Sequence, residues 1–154
     1  MRILVTGAAG YLGRGTVLAL CDIGAEVVAA DFNTDCVDSR AERVNCNLFE
    51  VEKPYEYFGK PDVLLHMAWR DGFVHNSDAH MEDLPLHTEL IRQFAGNKCR
   101  ICAIGTMHEI GFFEGAIDEN TPCKPMSMYG IAKNALREGA ALICKQAEAD
   151  FQWL

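Results

Sequence analysis

A chain of 154 residues, 49% apolar and 23% charged, has the length and balance of one soluble globular domain. Its net charge of −8 argues against nucleic acid or an anionic membrane as the main partner. No apolar run is long enough for a membrane span and no signal peptide precedes the first strand-like segment; with seven scattered cysteines read as reduced, buried thiols, a cytoplasmic location is expected.

Ile3-Leu4-Val5 reads as a strand buried on both faces of a parallel sheet. A turn with Gly7, Gly10 and Gly13 follows, and the apolar periodicity from Leu12 through Val17, Leu20 and Cys21 predicts a helix from about Gly10 to Asp22, with Gly24 just past its end. Strand, glycine turn and helix in this order suit a nucleotide pyrophosphate. Gly7 allows the sharp turn, Gly10 lets the main chain approach the phosphates, and Gly13 lets the helix pack on the sheet, its positive end facing the ligand. The next strand, Glu26 to Ala30, ends in Asp31, eighteen residues after Gly13. An acidic residue there accepts from both hydroxyls of an adenosine ribose and repels a 2′-phosphate, which points to NAD.

A short helix is expected within the polar segment Asn33 to Glu42, a third strand over Arg43 to Leu48 with Asn47 at the adenine, and another short helix within Glu50 to Gly59. Pro61 to Trp69 is the clearest later strand, apolar enough to need helices on both sides. Asp71 to Ser77 is a loop, and Leu86, Leu90, Ile91 and Phe94 predict a helix from about Leu84 to Ala95. His80 and His87 fall at a spacing that could put them on one helix face, but no carboxylate–histidine spacing of a zinc site accompanies them, so no metal is expected. Cys99 and Cys102 have a CxxC spacing, yet at the start of the predicted strand Arg100 to Gly105 they should point to opposite faces. After an irregular stretch from Thr106 to Met126, a last helix runs from about Ser127 to Ala149. Ala132, Ala135, Leu136, Gly139, Leu142 and Ile143 are expected on one face, Gly139 marking a close contact. Phe151 to Leu154 reads as the opening of a sixth strand.

This alternation predicts an α/β fold, a doubly wound, mostly parallel sheet with right-handed crossovers. On the last helix, Tyr129 and Lys133 stand one turn apart, a spacing at which an ammonium can stabilise a phenolate and lower the tyrosine pKa.

The chain resembles the extended short-chain dehydrogenase/reductases, in particular the NAD-dependent epimerase/dehydratase group acting on nucleotide sugars. The matching pieces are Thr6 to Gly13, His66-Met67-Ala68, Thr106 to Gly111, and Pro125 to Lys133. The resemblance implies a Rossmann fold with NAD held by Gly7, Ala9, Gly10, Tyr11, Leu12, Gly13, Asp31, Asn47, Leu48, Met67, Ala68 and Trp69, together with Tyr129 and Lys133. It implies that Tyr129 is the general acid/base, that Lys133 binds the nicotinamide ribose, and that Thr106 hydrogen-bonds the reacting oxygen. Hydride would pass between a sugar carbon and the cofactor, and subunits would pair as a homodimer through the helices near Leu84 to Ala95 and Ser127 to Ala149. Met107 and His108 stand where dehydratases carry Asp-Glu, which ranks dehydration below epimerisation or carbonyl reduction. Residues 1–154 are thus expected to be the NAD-binding domain, cut near the sixth strand and lacking the family's C-terminal substrate region. The alternative is a catalytically silent protein that binds or senses NAD.

Overall fold

In the computed structural model, which describes residues 1–154, strand side chains alternate between two apolar layers. Leu4, Val28, Ala30, Leu64 and Ile101 join one layer, whereas Ile3, Val5, Val27, Ala29, Val63 and Leu65 belong to the other. This period of two is what a strand buried on both faces requires. The strands are β1 (Arg2–Thr6), β2 (Glu26–Asp31), β3 (Glu42–Asn45), β4 (Val63–His66), β5 (Arg100–Ala103) and β6 (Phe151–Trp153). All pair in parallel, in the order β3-β2-β1-β4-β5-β6.

Helix α1 (Tyr11–Asp22) covers one face through Val17, helped by Val37 and Ala41 from the β2–β3 connection. On the other face lie α2 (Pro54–Tyr57), α4 (Leu84–Ala95) and α5 (Met128–Ala147), which contribute or adjoin Phe58, Leu90, Ile91, Phe94, Leu136, Ala140 and Ile143. A short α3 (Ala79–Glu82) precedes α4. The strand order turns round between β1 and β4, which opens a crevice at the carboxyl ends of those strands, the usual ligand position in such sheets.

Several local expectations are corrected. No helix forms between Asn33 and Glu42: Asn33 Oδ1 accepts from Asp35 N at 2.8 Å and Asp38 Oδ1 from Arg40 N at 2.9 Å, so side chains satisfy the backbone in turns instead. β3 ends at Asn45 rather than Leu48, because the Asn47 side chain caps a 3₁₀ turn over Leu48–Glu50. β4 stops at His66, where Met67 and Ala68 turn their amides toward the Thr6 hydroxyl. Gly139 makes no close contact; a Cβ built there meets nothing within 4 Å. The packed face of α5 carries Ala132, Lys133, Leu136, Ala140, Ile143 and Cys144, whereas Leu142 is exposed. Phe151–Trp153 is a paired strand, its Trp153 level with Ala103 of β5.

Candidate active site at the β1–β4 crevice

β1 runs straight into a turn whose glycines are set by backbone contact. A Cβ on Gly13 would lie 2.1 Å from the Gly7 carbonyl oxygen, and one on Gly7, at φ +68°, would lie 2.7 Å from Ala68 N. The turn therefore lies flush against both α1 and the β4 end. Gly10 begins α1 with no side-chain cap and no acidic residue in the first turn. The first-turn amides of a three-turn helix are thus left for an anion. Tyr11 and Leu12 bring backbone to this point, since their side chains are 84% and 54% exposed and lie outside the crevice wall.

The crevice has a volume of about 730 Å³. Of the residues expected to hold the cofactor, Gly7, Ala9, Gly10, Asp31, Asn47, Leu48, Met67, Ala68 and Trp69 line it. Asp31 is oriented by two amides, Oδ2 accepting from Ala9 N at 2.9 Å and Oδ1 from Phe32 N at 2.8 Å, so each oxygen keeps a lone pair for a further donor. Phe32, Phe49, Arg70, Asp83, Leu86 and His87 complete much of the wall and were not foreseen. At its rim Arg70 pairs with Asp83 at 2.9 Å, tying the chain after β4 to the start of α4.

Thr106, Tyr129 and Lys133 come together beyond the end of β5. Thr106 caps a 3₁₀ turn, accepting from His108 N, while its own amide donates to Glu109 Oε1 at 2.8 Å. Glu109 is a buried residue that sequence reading missed, although Thr-x-x-Glu is the spacing of a capping box. It also accepts from Trp153 Nε1 at 3.1 Å and faces Arg137 Nε at 3.4 Å. Tyr129 is ringed by His75, His80, His108 and Trp69, with centroids 5.2 to 6.0 Å away.

The electrostatics of the tyrosine–lysine pair differ from the expectation. Burial raises the Tyr129 phenol above its ordinary value, the Thr106 hydroxyl pulls it back and the Glu109 charge adds to the rise. Lys133 does not lower it, because Nζ is turned inward to the Ile104 carbonyl at 2.6 Å. Burial pushes Lys133 down to about 8, with Glu109 opposing.

His80 and His87 sit on different helices, and both stack on Trp69. Trp69 Nε1 donates to His80 Nδ1 at 3.0 Å, which anchors the indole in the crevice wall. Cys99 and Cys102 are free thiols, and burial pushes Cys99 up to about 12.

A sequence-family model described as the NAD dependent epimerase/dehydratase family matches residues 3–154. The chain belongs to that family. Among curated relatives, the chain is similar to dTDP-6-deoxy-L-talose 4-dehydrogenase (NAD(+)) of Aggregatibacter actinomycetemcomitans, 40% identical over 145 residues that cover 90% of the chain and 53% of the relative. A putative UDP-glucose 4-epimerase of Methanocaldococcus jannaschii is 26% identical, covering 85% and 47%. The chain thus spans about half the length of the curated relatives it matches. In fold it is similar to UDP-glucose 4-epimerase of Thermotoga maritima in complex with UDP-glucose (TM-score 0.86, 18% identity, 99% of this chain and 54% of that one). It is also similar to UDP-glucuronic acid 4-epimerase of Bacillus cereus in complex with UDP-glucuronic acid and NAD (TM-score 0.82, 21% identity, 99% and 55%). The uncapped α1 start, the flush glycine turn and the oriented Asp31 carboxylate suit the dinucleotide that this family uses.

Proposed function

We propose that residues 1–154 are the NAD-binding domain of an oxidoreductase that moves a hydride to or from a nucleotide sugar, with Tyr129 exchanging the accompanying proton. The observation that supports this reading is that Tyr129 and Lys133 both meet Trp69, which lines the same crevice as Gly7 and Asp31. NAD, when bound, supplies the hydride acceptor. Asp31 binds the adenosine ribose hydroxyls and excludes a 2′-phosphate. Thr106, held by Glu109, orients the reacting sugar oxygen. Tyr129 rests as the neutral phenol, the form that donates a proton to a carbonyl oxygen, and takes it back in the reverse direction. Lys133 uses one N–H on Ile104 and has two left for the nicotinamide ribose.

The 4-dehydrogenase at 40% identity and the 4-epimerase at 26% both carry position 4 in their names, which centres the reading on that sugar carbon. With Met107 and His108 after Thr106, dehydration ranks below reduction and epimerisation. Pairing of two copies through α4 and α5 is part of the same reading, and sedimentation tests it.

Calorimetry should find NAD+ bound more tightly than NADP+, and the reverse order would overturn the cofactor assignment. In the full gene product, Tyr129→Phe should lower turnover of a dTDP- or UDP-linked 4-ketosugar by roughly 10² to 10⁴ while NAD+ affinity holds. Unchanged turnover would remove Tyr129 from the chemistry.

A further inference from the structure

Two buried histidines lie between the glycine turn and the crevice, and neither is used in the reading above. Two amides are directed at Thr6 Oγ1: Ala68 N at 3.3 Å, and Met67 N at 3.2 Å, whose N–H is shared with the Thr6 carbonyl. The hydroxyl hydrogen is then left for His66 Nδ1, 2.8 Å away. A neutral imidazole that accepts at Nδ1 carries its proton on Nε2. His66 Nε2 therefore donates to His87 Nδ1, also at 2.8 Å, and His87 in turn carries its proton on Nε2. The hydrogen bonds run in one direction, from the Thr6 hydroxyl through His66 to an N–H on His87.

That last N–H has no partner in the chain. His87 is 1% exposed and its ring lines the crevice, stacked on Trp69 at 4.4 Å with Phe49 edge-on at 4.9 Å. Arg137 Nε is the one fully enclosed side-chain nitrogen or oxygen without a hydrogen bond, so His87 Nε2 is not sealed in and meets the crevice instead. The rings shown against it, Trp69 and Phe49, are apolar faces and edges that offer no lone pair in the plane of the imidazole. A donor in such a wall is costly until an acceptor arrives.

We propose that His87 is a cofactor-binding residue whose Nε2–H, set by the Thr6–His66 relay, donates to an oxygen of the bound dinucleotide between its pyrophosphate and its nicotinamide ribose. The inference rests on the NAD reading above. The position follows from the sheet: β4 lies between β1, whose turn faces the pyrophosphate, and β5, which leads to Thr106. Trp69, on which His87 stacks, also carries Lys133 Nζ 4.3 Å from its ring centre. Burial, followed by the neighbouring charge of Lys133, holds His87 down to about 3, so the donor stays neutral throughout the physiological range.

Long-range ¹⁵N correlation spectra of the histidine rings test this directly in the wild-type chain. At pH 7, His66 and His87 should both show a protonated Nε2 and an accepting Nδ1, and saturation with NAD+ should shift His87 Nε2 while leaving its tautomer unchanged. Calorimetry should find NAD+ binding weakened roughly tenfold by His87→Phe and partly restored by His87→Gln, with AMP affinity unaffected. A proton on His87 Nδ1 in the free chain, or an Nε2 signal that NAD+ leaves unmoved, would overturn the assignment while the NAD reading stands. Wild-type chain that binds no NAD+ would instead overturn that reading, and this inference with it.

Discussion

Lys133 places its ammonium 4.3 Å from the centre of the Trp69 ring and donates to the Ile104 carbonyl at 2.6 Å, so the one buried lysine of the site is held by a π-face and a backbone dipole rather than by a carboxylate. Glu109 acts on it only through space. Burial wins this balance, and the lysine gives up its proton more easily than one in water.

The indole reports that proton. Tryptophan emission should therefore change with a midpoint near pH 8, where Lys133 titrates, and Lys133→Met should abolish the change. A midpoint above pH 10 would show the ammonium to be ordinary. The linkage has a definite sign: between pH 8 and 10.5 the folded chain has released a proton that the unfolded chain retains, so Lys133 makes stability rise with pH across that window.

Glu109 holds Thr106 and Trp153 by hydrogen bonds and Arg137 by charge, and its charge raises Tyr129. Glu109→Gln should cost about 1 to 2 kcal/mol in urea denaturation, since a buried carboxylate beside Arg137 is lost while Arg137 keeps Glu138 at 2.7 Å. The same change should lower the Tyr129 pKa, followed by ¹³C NMR of the tyrosine ring. A Tyr129 titration that does not move would show that Glu109 acts on the fold alone.

What sequence made legible was whatever repeats locally or faces a single neighbour. The apolar runs Ile3–Val5 and Val63–Leu65 announced strands buried on both faces, and both occupy the centre of the sheet. Asp31 was placed by its distance from the glycine turn, and it reaches back to Ala9. What stayed hidden depends on contacts between distant segments or on competition for the same backbone groups. Nothing at His66 or His87, 21 residues apart, signals that their rings meet. The turn of Lys133 toward Ile104 is decided by a carbonyl 29 residues earlier, which a spacing argument on one helix cannot see. Asn33 and Asp38 illustrate the competition, their side chains removing a helix that polarity alone had suggested. Glu109 was readable, because a capping box needs only four consecutive residues.

The two buried histidines predict acid sensitivity. Burial holds His66 well below its ordinary value, and His87 falls to about 3. As pH drops below about 6.5 the unfolded chain takes up protons that the folded chain refuses, so stability is complete above that pH and is lost as pH falls toward 3. Each histidine adds up to about 1.4 kcal/mol per pH unit to the slope within the window. Urea midpoints measured from pH 7 to 4.5 should fall accordingly, and His87→Phe should flatten the fall by one proton. A slope unaltered by that substitution would mean that His87 is protonated in the folded chain.

Two glycines on helices should respond to alanine in opposite ways. At Gly139 an added Cβ meets nothing, and the interior of α5 gains helix propensity, so Gly139→Ala should stabilise by about 1 kcal/mol and raise the melting temperature by roughly 3 °C. At Gly13 the same methyl would lie 2.1 Å from the Gly7 oxygen and 2.8 Å from two Ala8 atoms, all of them backbone. Neither neighbour can yield without moving α1 off the sheet. Gly13→Ala should therefore lower the melting temperature and, if the proposed cofactor site is right, weaken NAD+ binding with it, because the turn proposed to face the pyrophosphate is the part displaced. Thermal unfolding followed by circular dichroism with and without NAD+ separates the cases. A Gly13→Ala chain that melts like the wild type and keeps its cofactor-induced shift would show that the close packing of α1 on β1 is not what holds the turn.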